Sequence, residues 1–413
     1  MKTNNRFLLV LILGLLSAIG PFSIDMYLPG FPQIAADLNT TVANISLSLS
    51  SFFIGISVGQ LLYGPLLDRF GRKRPLYVGL TVYVITSLGC ALAASADQLI
   101  LLRFLQALGS CVGMVASRAM VRDLFPVSET AKVFSQLMLV IGVSPIIAPT
   151  AGGYLTAAFG WHSIFVVLII LVALILIAVH FYLPESKAPD TNYSLKPAPI
   201  IKSYRSVLKE PQFYTYALTG SLASAALYAY IAGSPFVCMQ LFKASEQLYG
   251  WIFAIIASGL ILCSQVNSFL LRNKKSEQII KVALLFQTIT GILLFIASAM
   301  EWLNLFDTVA FIFIFLCCQG FIFPNSSALS LAPFNKNAGS ASALLGTIQM
   351  SIGALSSAMV SFLNNNTALP MTGTMAVCAA SSFTVLMIGN KIIRYKAKPE
   401  DIKEETAEMV SML

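Results

Sequence analysis

The stretch Gly64-Pro65-Leu66-Leu67-Asp68-Arg69-Phe70-Gly71-Arg72-Lys73-Arg74-Pro75 separates two long apolar runs. It combines a turn glycine, a single carboxylate and the cations Arg69, Arg72, Lys73 and Arg74. So dense a run of positive charge does not cross a bilayer, and it marks a loop on the cytoplasmic side of a membrane.

The surrounding sequence has the matching composition. Of 413 residues, 57% are apolar and 11% charged, with a mean hydropathy of +0.80. Globular chains carry about 25% charged residues, so this one lacks the charge to dress a wet surface. A helix needs about 20 apolar residues to cross a hydrocarbon core roughly 30 Å thick. Twelve such runs are present. In the first half they are Phe7–Ala35, Val42–Leu67, Pro75–Ser95, Leu99–Met120, Val133–Phe159 and Ser163–Leu183. In the second they are Phe213–Phe236, Leu248–Leu271, Ile279–Ala299, Leu305–Leu331, Ser340–Leu363 and Met371–Ile393. Continuous apolarity without short alternating segments predicts helices rather than barrel strands, hence an all-α integral membrane protein.

Charge predicts the orientation. With both termini in the cytoplasm, only Lys243 of the 26 basic residues falls in an external loop, and only Arg103 well inside a span. The others lie at or near cytoplasmic ends, a strong positive-inside bias. The net charge of +8 therefore reports topology and contact with anionic lipid headgroups, not nucleic-acid binding. Lys2 and Arg6 precede an apolar run too long for a signal peptide, which leads into Asp25 instead of a small-residue cleavage site. The seven cysteines show no C-x-x-C pairing, and His162 and His180 are too far apart in sequence to form a metal centre. No cofactor is expected.

The longest hydrophilic interval, rich in lysine and proline, predicts a linker between equal halves. The expected organisation is a six-helix bundle over 1–183, a cytoplasmic linker over 184–211, a second six-helix bundle over 212–395 and a tail over 396–413. Leu270-Leu271-Arg272-Asn273-Lys274-Lys275 stands in the second half where Gly64–Pro75 stands in the first. That copy lacks the aspartate and the glycines.

Asp25, in Pro21-Phe22-Ser23-Ile24-Asp25-Met26-Tyr27-Leu28-Pro29, is the outstanding ionisable residue. A carboxylate at such depth costs about 2.5–3.5 kcal/mol and should face a cavity or a partner. Burial favours its protonated form and an approaching cation its ionised form, as a proton carrier requires. The alternative is a helix cap at a break set by Pro21 or Pro29. Arg103 lies at similar depth, which allows a salt bridge or water-linked contact with Asp25; snorkelling to the outer interface is its alternative. In the fifth span Gly142, Pro145, Pro149, Gly152 and Gly153 combine lost backbone hydrogen bonds with room for close helix approach.

The pattern G-x-x-x-D-R-x-G-R-K-x-P resembles the loop signature between the second and third helices of the major facilitator superfamily. Arg103-Phe104-Leu105-Gln106-Ala107-Leu108-Gly109 resembles the fourth-helix motif of its proton-coupled members, with Ala107 in place of the usual glycine. The fifth-span cluster resembles the motif of drug:proton antiporters, thought to limit proton leak. Asp25–Pro32 and Gly339–Gln349 resemble stretches of the Bcr/CflA group of bacterial inner-membrane drug exporters.

The resemblance implies two six-helix bundles that rock about a central cavity. It implies a gate built from Gly64, Asp68, Arg69, Gly71, Arg72 and Lys73, with the loop aspartate bonding a helix end and opposing basic residues when the transporter opens outward. Asp123 is a candidate partner for the loop cations; solvated topology charges, each contributing about 1 kcal/mol or less, are the alternative. The implied partners are protons, lipids and a small lipophilic drug-like substrate, handled by a monomer. Tyr27, Gln60, Tyr228, Tyr230, Gln319, Asn325 and Gln349 are substrate-cavity candidates by depth, although each taken singly is better suited to an interhelical hydrogen bond. The expected function is proton-driven export of bicyclomycin-, chloramphenicol- or sulfonamide-like compounds. The rivals are a carrier of one metabolite and, with no metal cluster or nucleophile–base pair in view, a membrane enzyme or receptor.

Overall fold

The computed structural model describes residues 3–190, 197–334 and 338–411; Lys2 and Lys196 lie outside these ranges. The first half consists of α1 (Thr3–Asp25), α2 (Phe31–Asp37), α3 (Val42–Phe70), α4 (Lys73–Ala91), α5 (Ala96–Leu124), α6 (Val127–Phe159) and α7 (His162–Tyr182). A short α8 (Pro197–Leu208) follows. The second half comprises α9 (Pro211–Pro235), α10 (Glu246–Leu270), α11 (Ser276–Ala299), α12 (Leu305–Leu331), α13 (Ala338–Phe362) and α14 (Leu369–Ser411).

Among the described residues, eleven helical segments are long and apolar enough to span a membrane. The exception is α4, the third of the twelve expected spans. Lys73, Arg74, Thr81, Thr86 and Ser87 dilute its apolarity, yet it packs between α5 and α7 as a full member of the bundle. The backbone of α14 stays helical to Ser411, beyond the expected end of the last span.

Two local features shape the site. Side chains of Thr41, Ser95, Ser245 and Asn304 accept hydrogen bonds from the first turns of α3, α5, α10 and α12. First-turn N–H groups have no acceptor in the helix's own ladder, and these side chains supply one. All four caps lie at the end away from Gly64–Pro75, here called the far end; the other is the basic end. The second feature is the break in the first span. Pro29 has no N–H for the Asp25 carbonyl, and its ring would collide with that carbonyl in a continuous helix. α1 accordingly ends at Asp25, and a short 3₁₀ turn over Leu28–Gly30 leads into α2. Pro21 lies within α1 without ending it.

α1 and α3 to α7 form one bundle and α9 to α14 the other. They meet along two seams, α3 against α13 and α6 against α10. The first is a ladder of hydroxyls: Ser46 with Ser361, Ser50 to Ser357 at 2.9 Å, and Ser57 with Ser351 at 2.8 Å. In the second, a β-carbon added to Gly153 would fall 2.6 Å from the Glu246 carbonyl, and one on Gly250 2.8 Å from that of Pro149. Both seams are tight at the far end. Toward the basic end, a β-carbon on Gly142 would come no nearer than 3.8 Å to Ile261, and Gly64 and Gly339 meet nothing within 4 Å.

Candidate functional site

Asp25 sits at the end of α1, only 6% exposed. Its carboxyl has no hydrogen-bond or ion-pair partner among the described residues. The contact with Arg103 allowed by depth is not made.

Arg103 is fully buried and turned elsewhere. One terminal nitrogen donates to the Ser23 carbonyl at 2.9 Å and the other to Gln106, whose amide donates to Ser87 at 2.7 Å. Its guanidinium lies 4.5 Å from the Tyr27 ring centroid and 4.3 Å from that of Phe52. Arg103 thus holds the backbone two residues before Asp25, and snorkelling to the outer interface is excluded. Ala107, which departs from the motif, fits because α3 presents Gly55 to it; a β-carbon there would fall 2.6 Å from that of Ala107.

The glycines of α6 grip the break from the other side. Gly152 backs onto the Met26 carbonyl and leaves no room for a β-carbon, while the adjacent Gly153 backs onto α10. Pro145 and Pro149 lie within a continuous α6, and Thr150 Oγ1 donates toward the Gly250 carbonyl at 3.4 Å. One short segment of α6 therefore touches both the chain beside Asp25 and the opposite bundle.

At the basic end, Gly71 adopts φ +82°, a left-handed conformation that lets the chain turn between α3 and α4. Arg72 follows. Its Nε donates to Asp123 at 2.8 Å and its Nη1 to Asp68 at 3.1 Å. Burial acts to lower the pKa of the Arg72 guanidinium, but the two carboxylates outweigh it and raise the pKa above its usual value. Lys187 Nζ reaches Asp68 at 2.8 Å, and Ser186 donates to Asp123 at 2.9 Å. The Glu185 carboxylate accepts from the backbone N–H groups of Arg72 and Lys73 at 2.8 and 3.0 Å, capping α4. In this conformation Glu185 holds the start of α4, while Asp68 takes Arg72 and Lys187. Arg69 reaches the Asp190 carbonyl at 3.5 Å, and the Lys73 ammonium lies over the Tyr77 ring.

The substrate-cavity candidates separate into two groups. Tyr27 is enclosed, bonded to Ser48 and packed against Arg103. Tyr230 is buried against Phe253, and Asn325 donates to Asn267 at 2.7 Å inside the second bundle. Gln60 is closed off by Gly346 across the α3–α13 seam, and Gln319 donates to Ser224 at 2.7 Å. These five serve interhelical contacts in this conformation, which depth alone did not reveal. Tyr228 and Gln349 stay half-exposed. Gln349 shares Ser224 with Gln319, and the Tyr228 ring packs at a tilt against Phe53 of the first bundle, their centroids 4.7 Å apart.

Four polar residues were missed as site members. Glu185, Ser186 and Lys187 belong to the hydrophilic interval, and only the fold brings them to the loop. Arg118, counted among the end charges, lies inside α5 with its side chain exposed. It has no ion-pair partner among the described residues. Its position within the predicted span Leu99–Met120 was the available signal.

A sequence profile of the Major Facilitator Superfamily matches residues 13–357. The chain belongs to that superfamily. An uncharacterised MFS-type transporter of Bacillus subtilis, YdgK, is 34% identical over 91% of this chain and 94% of its own length. A bicyclomycin resistance protein homolog of Haemophilus influenzae is 30% identical, covering 92% of this chain and 96% of its own. Multidrug resistance protein D of Escherichia coli is 27% identical over 90% and 92%. Among solved structures, a D-xylose–proton symporter superposes with a TM-score of 0.70 at 14% identity, covering 91% of this chain and 97% of its own. The nucleoside transporter NupG gives 0.72 at 13% identity over 94% and 99%. These likenesses establish the major facilitator fold and a membrane transporter, not an enzyme.

Proposed function

We propose that this transporter exports lipophilic drug-like compounds, of the bicyclomycin, chloramphenicol or sulfonamide kind, in exchange for protons. The observation that carries the reading is Asp25: a buried carboxyl without a partner, at a helix break gripped between the bundles. Such a group is costly to maintain in a membrane and has use as a proton carrier. The names of the bicyclomycin and multidrug resistance relatives support the substrate class.

The basic end is taken as cytoplasmic, with both termini there, in a bacterial inner membrane. On that assignment the seams are shut on the outside and part toward the cytoplasm, an inward-open state. A proton taken up by Asp25 from the outside would weaken substrate binding there; its release inside would reset the carrier. Both bundles belong to one chain, and the reading takes a monomer as the working unit. Everted membrane vesicles carrying the chain test this reading. Addition of a transported drug should give a proton-linked change in a pH-dye signal, and a flat signal across the three drug classes would contradict it.

A carrier of one polar metabolite is the second reading. Arg118 and the Ser224–Gln319–Gln349 cluster offer charge and hydrogen bonds that a purely lipophilic solute does not use. Arg118→Gln should then abolish transport of that solute, whereas a drug exporter would only reorder its substrate preferences.

A further inference from the structure

The loop after α10 has a chemistry that the first-half loop does not share. Around Gly64–Pro75, Asp68, Asp123 and Glu185 bind the Arg72 side chain, the Lys187 side chain and the start of α4. In the second-half copy, Lys274 and, one turn into α11, Lys281 have no ion-pair partner among the described residues. Both are exposed. The nearby Glu277 in the first turn of α11 is exposed and does not line the groove described next.

These two lysines and Gln278 stand at the rim of a groove of ≈ 870 Å³ on the outer face of the second bundle. Below the rim the walls are apolar, with Val282, Leu285 and Phe286 of α11, Phe313 and Ile314 of α12, and Phe383 of α14. Val282, Phe286 and Ile314 are among the exposed apolar residues of their helices, so the groove opens sideways to hydrocarbon and not into the central cavity. From Gln278 to Phe286 the helix descends about 12 Å, close to the depth of one leaflet. The side-chain carbonyl of Gln278 accepts from the Lys275 N–H, which leaves its amide hydrogens for another acceptor.

We propose that this groove binds an anionic phospholipid of the leaflet at the basic end. Its phosphate sits between Lys274, Lys281 and the Gln278 amide, and one acyl chain lies over Phe286, Phe313 and Ile314. A zwitterionic lipid fills the apolar walls equally well and offers the same phosphate, but it brings its own ammonium beside the two lysines and no net negative charge to offset them, so charge selects the occupant. The assignment depends on membrane insertion alone and stands whatever the transported substrate is.

Native mass spectrometry of the detergent-purified full chain, titrated with phosphatidylglycerol, phosphatidylcholine or glycerol 3-phosphate, tests it. Phosphatidylglycerol should be retained about tenfold more than phosphatidylcholine. The Lys274→Gln/Lys281→Gln pair should remove that preference, and Lys243→Gln at the far end should keep it. Ile314→Trp, which fills the groove and leaves the lysines in place, should also lower retention. Equal retention of the two lipids, or a preference that survives the double substitution, would overturn the proposal. Glycerol 3-phosphate bound as well as the lipid would overturn the acyl-chain groove. Size-exclusion profiles matching the unsubstituted chain show that the variants are folded.

Discussion

The Met26 carbonyl lies against Gly152, so closely that a β-carbon at Gly152 would overlap it. This contact ties the break beside Asp25 to the helix that also carries the α10 seam. Any movement of α6 against α10 therefore bears on the chain next to the buried carboxyl.

Gly152→Val should consequently abolish transport and destabilise the protein by about 1–3 kcal/mol, the usual cost of overpacking. Gly142→Val is the internal control, because a β-carbon there makes only ordinary contact with Ile261 at 3.8 Å. Transport assays on both variants, with thermal unfolding in detergent, check the pair.

Arg103 bonds the Ser23 carbonyl near the end of α1, and the proposed role for it is to position that end. Arg103→Lys keeps the charge but loses the planar fork held between Tyr27 and Phe52, and one of its two hydrogen-bonded ends. Both Arg103→Lys and Arg103→Ala should reach the membrane at normal abundance and transport at near-background rates. Full activity in the lysine variant would reduce Arg103 to a charge.

Arg72→Ala leaves the Asp123 and Asp68 carboxylates without their shared cation. The expected loss is about 1–3 kcal/mol, below the ~3–5 kcal/mol of a fully enclosed pair because Asp123 remains 20% exposed. A double-mutant cycle of Arg72→Ala with Asp123→Ala, read by thermal unfolding, should show clear coupling. The more exposed Lys187–Asp68 pair should couple more weakly.

The hydroxyl ladder between α3 and α13 should separate when the far end opens. Ser50→Cys with Ser357→Cys replaces a pair of oxygens 2.9 Å apart. Oxidation should cross-link the pair and stop transport, reductant should restore it, and each single variant should be insensitive to both treatments. Transport by the cross-linked protein would show that this seam does not open.

Much of the fold was legible in the sequence because a membrane demands long uninterrupted apolar runs, and the loops carry the charge that sets their side. The third run, Pro75–Ser95, falls on the helix α4, whose threonines, serines and leading cations leave it less apolar than the other spans. The faces of those helices were not legible. In lipid the outside of a helix is as apolar as its packed side, so Tyr27 and Tyr230 have cavity depth but point into their own bundles. Glu185 was hidden for another reason: it caps α4 from 113 positions away, and nothing local encodes that pairing. Pro29 was the readable sign of the break, since its missing donor falls on the Asp25 carbonyl.

The central claim is that Asp25 carries the coupled proton. Asp25→Asn keeps the size and removes the charge and the titration. In proteoliposomes with an imposed proton gradient, the account predicts that this variant binds drug and exchanges it across the membrane but no longer pumps it against a concentration gradient. Gradient-driven export at the wild-type rate would contradict the claim.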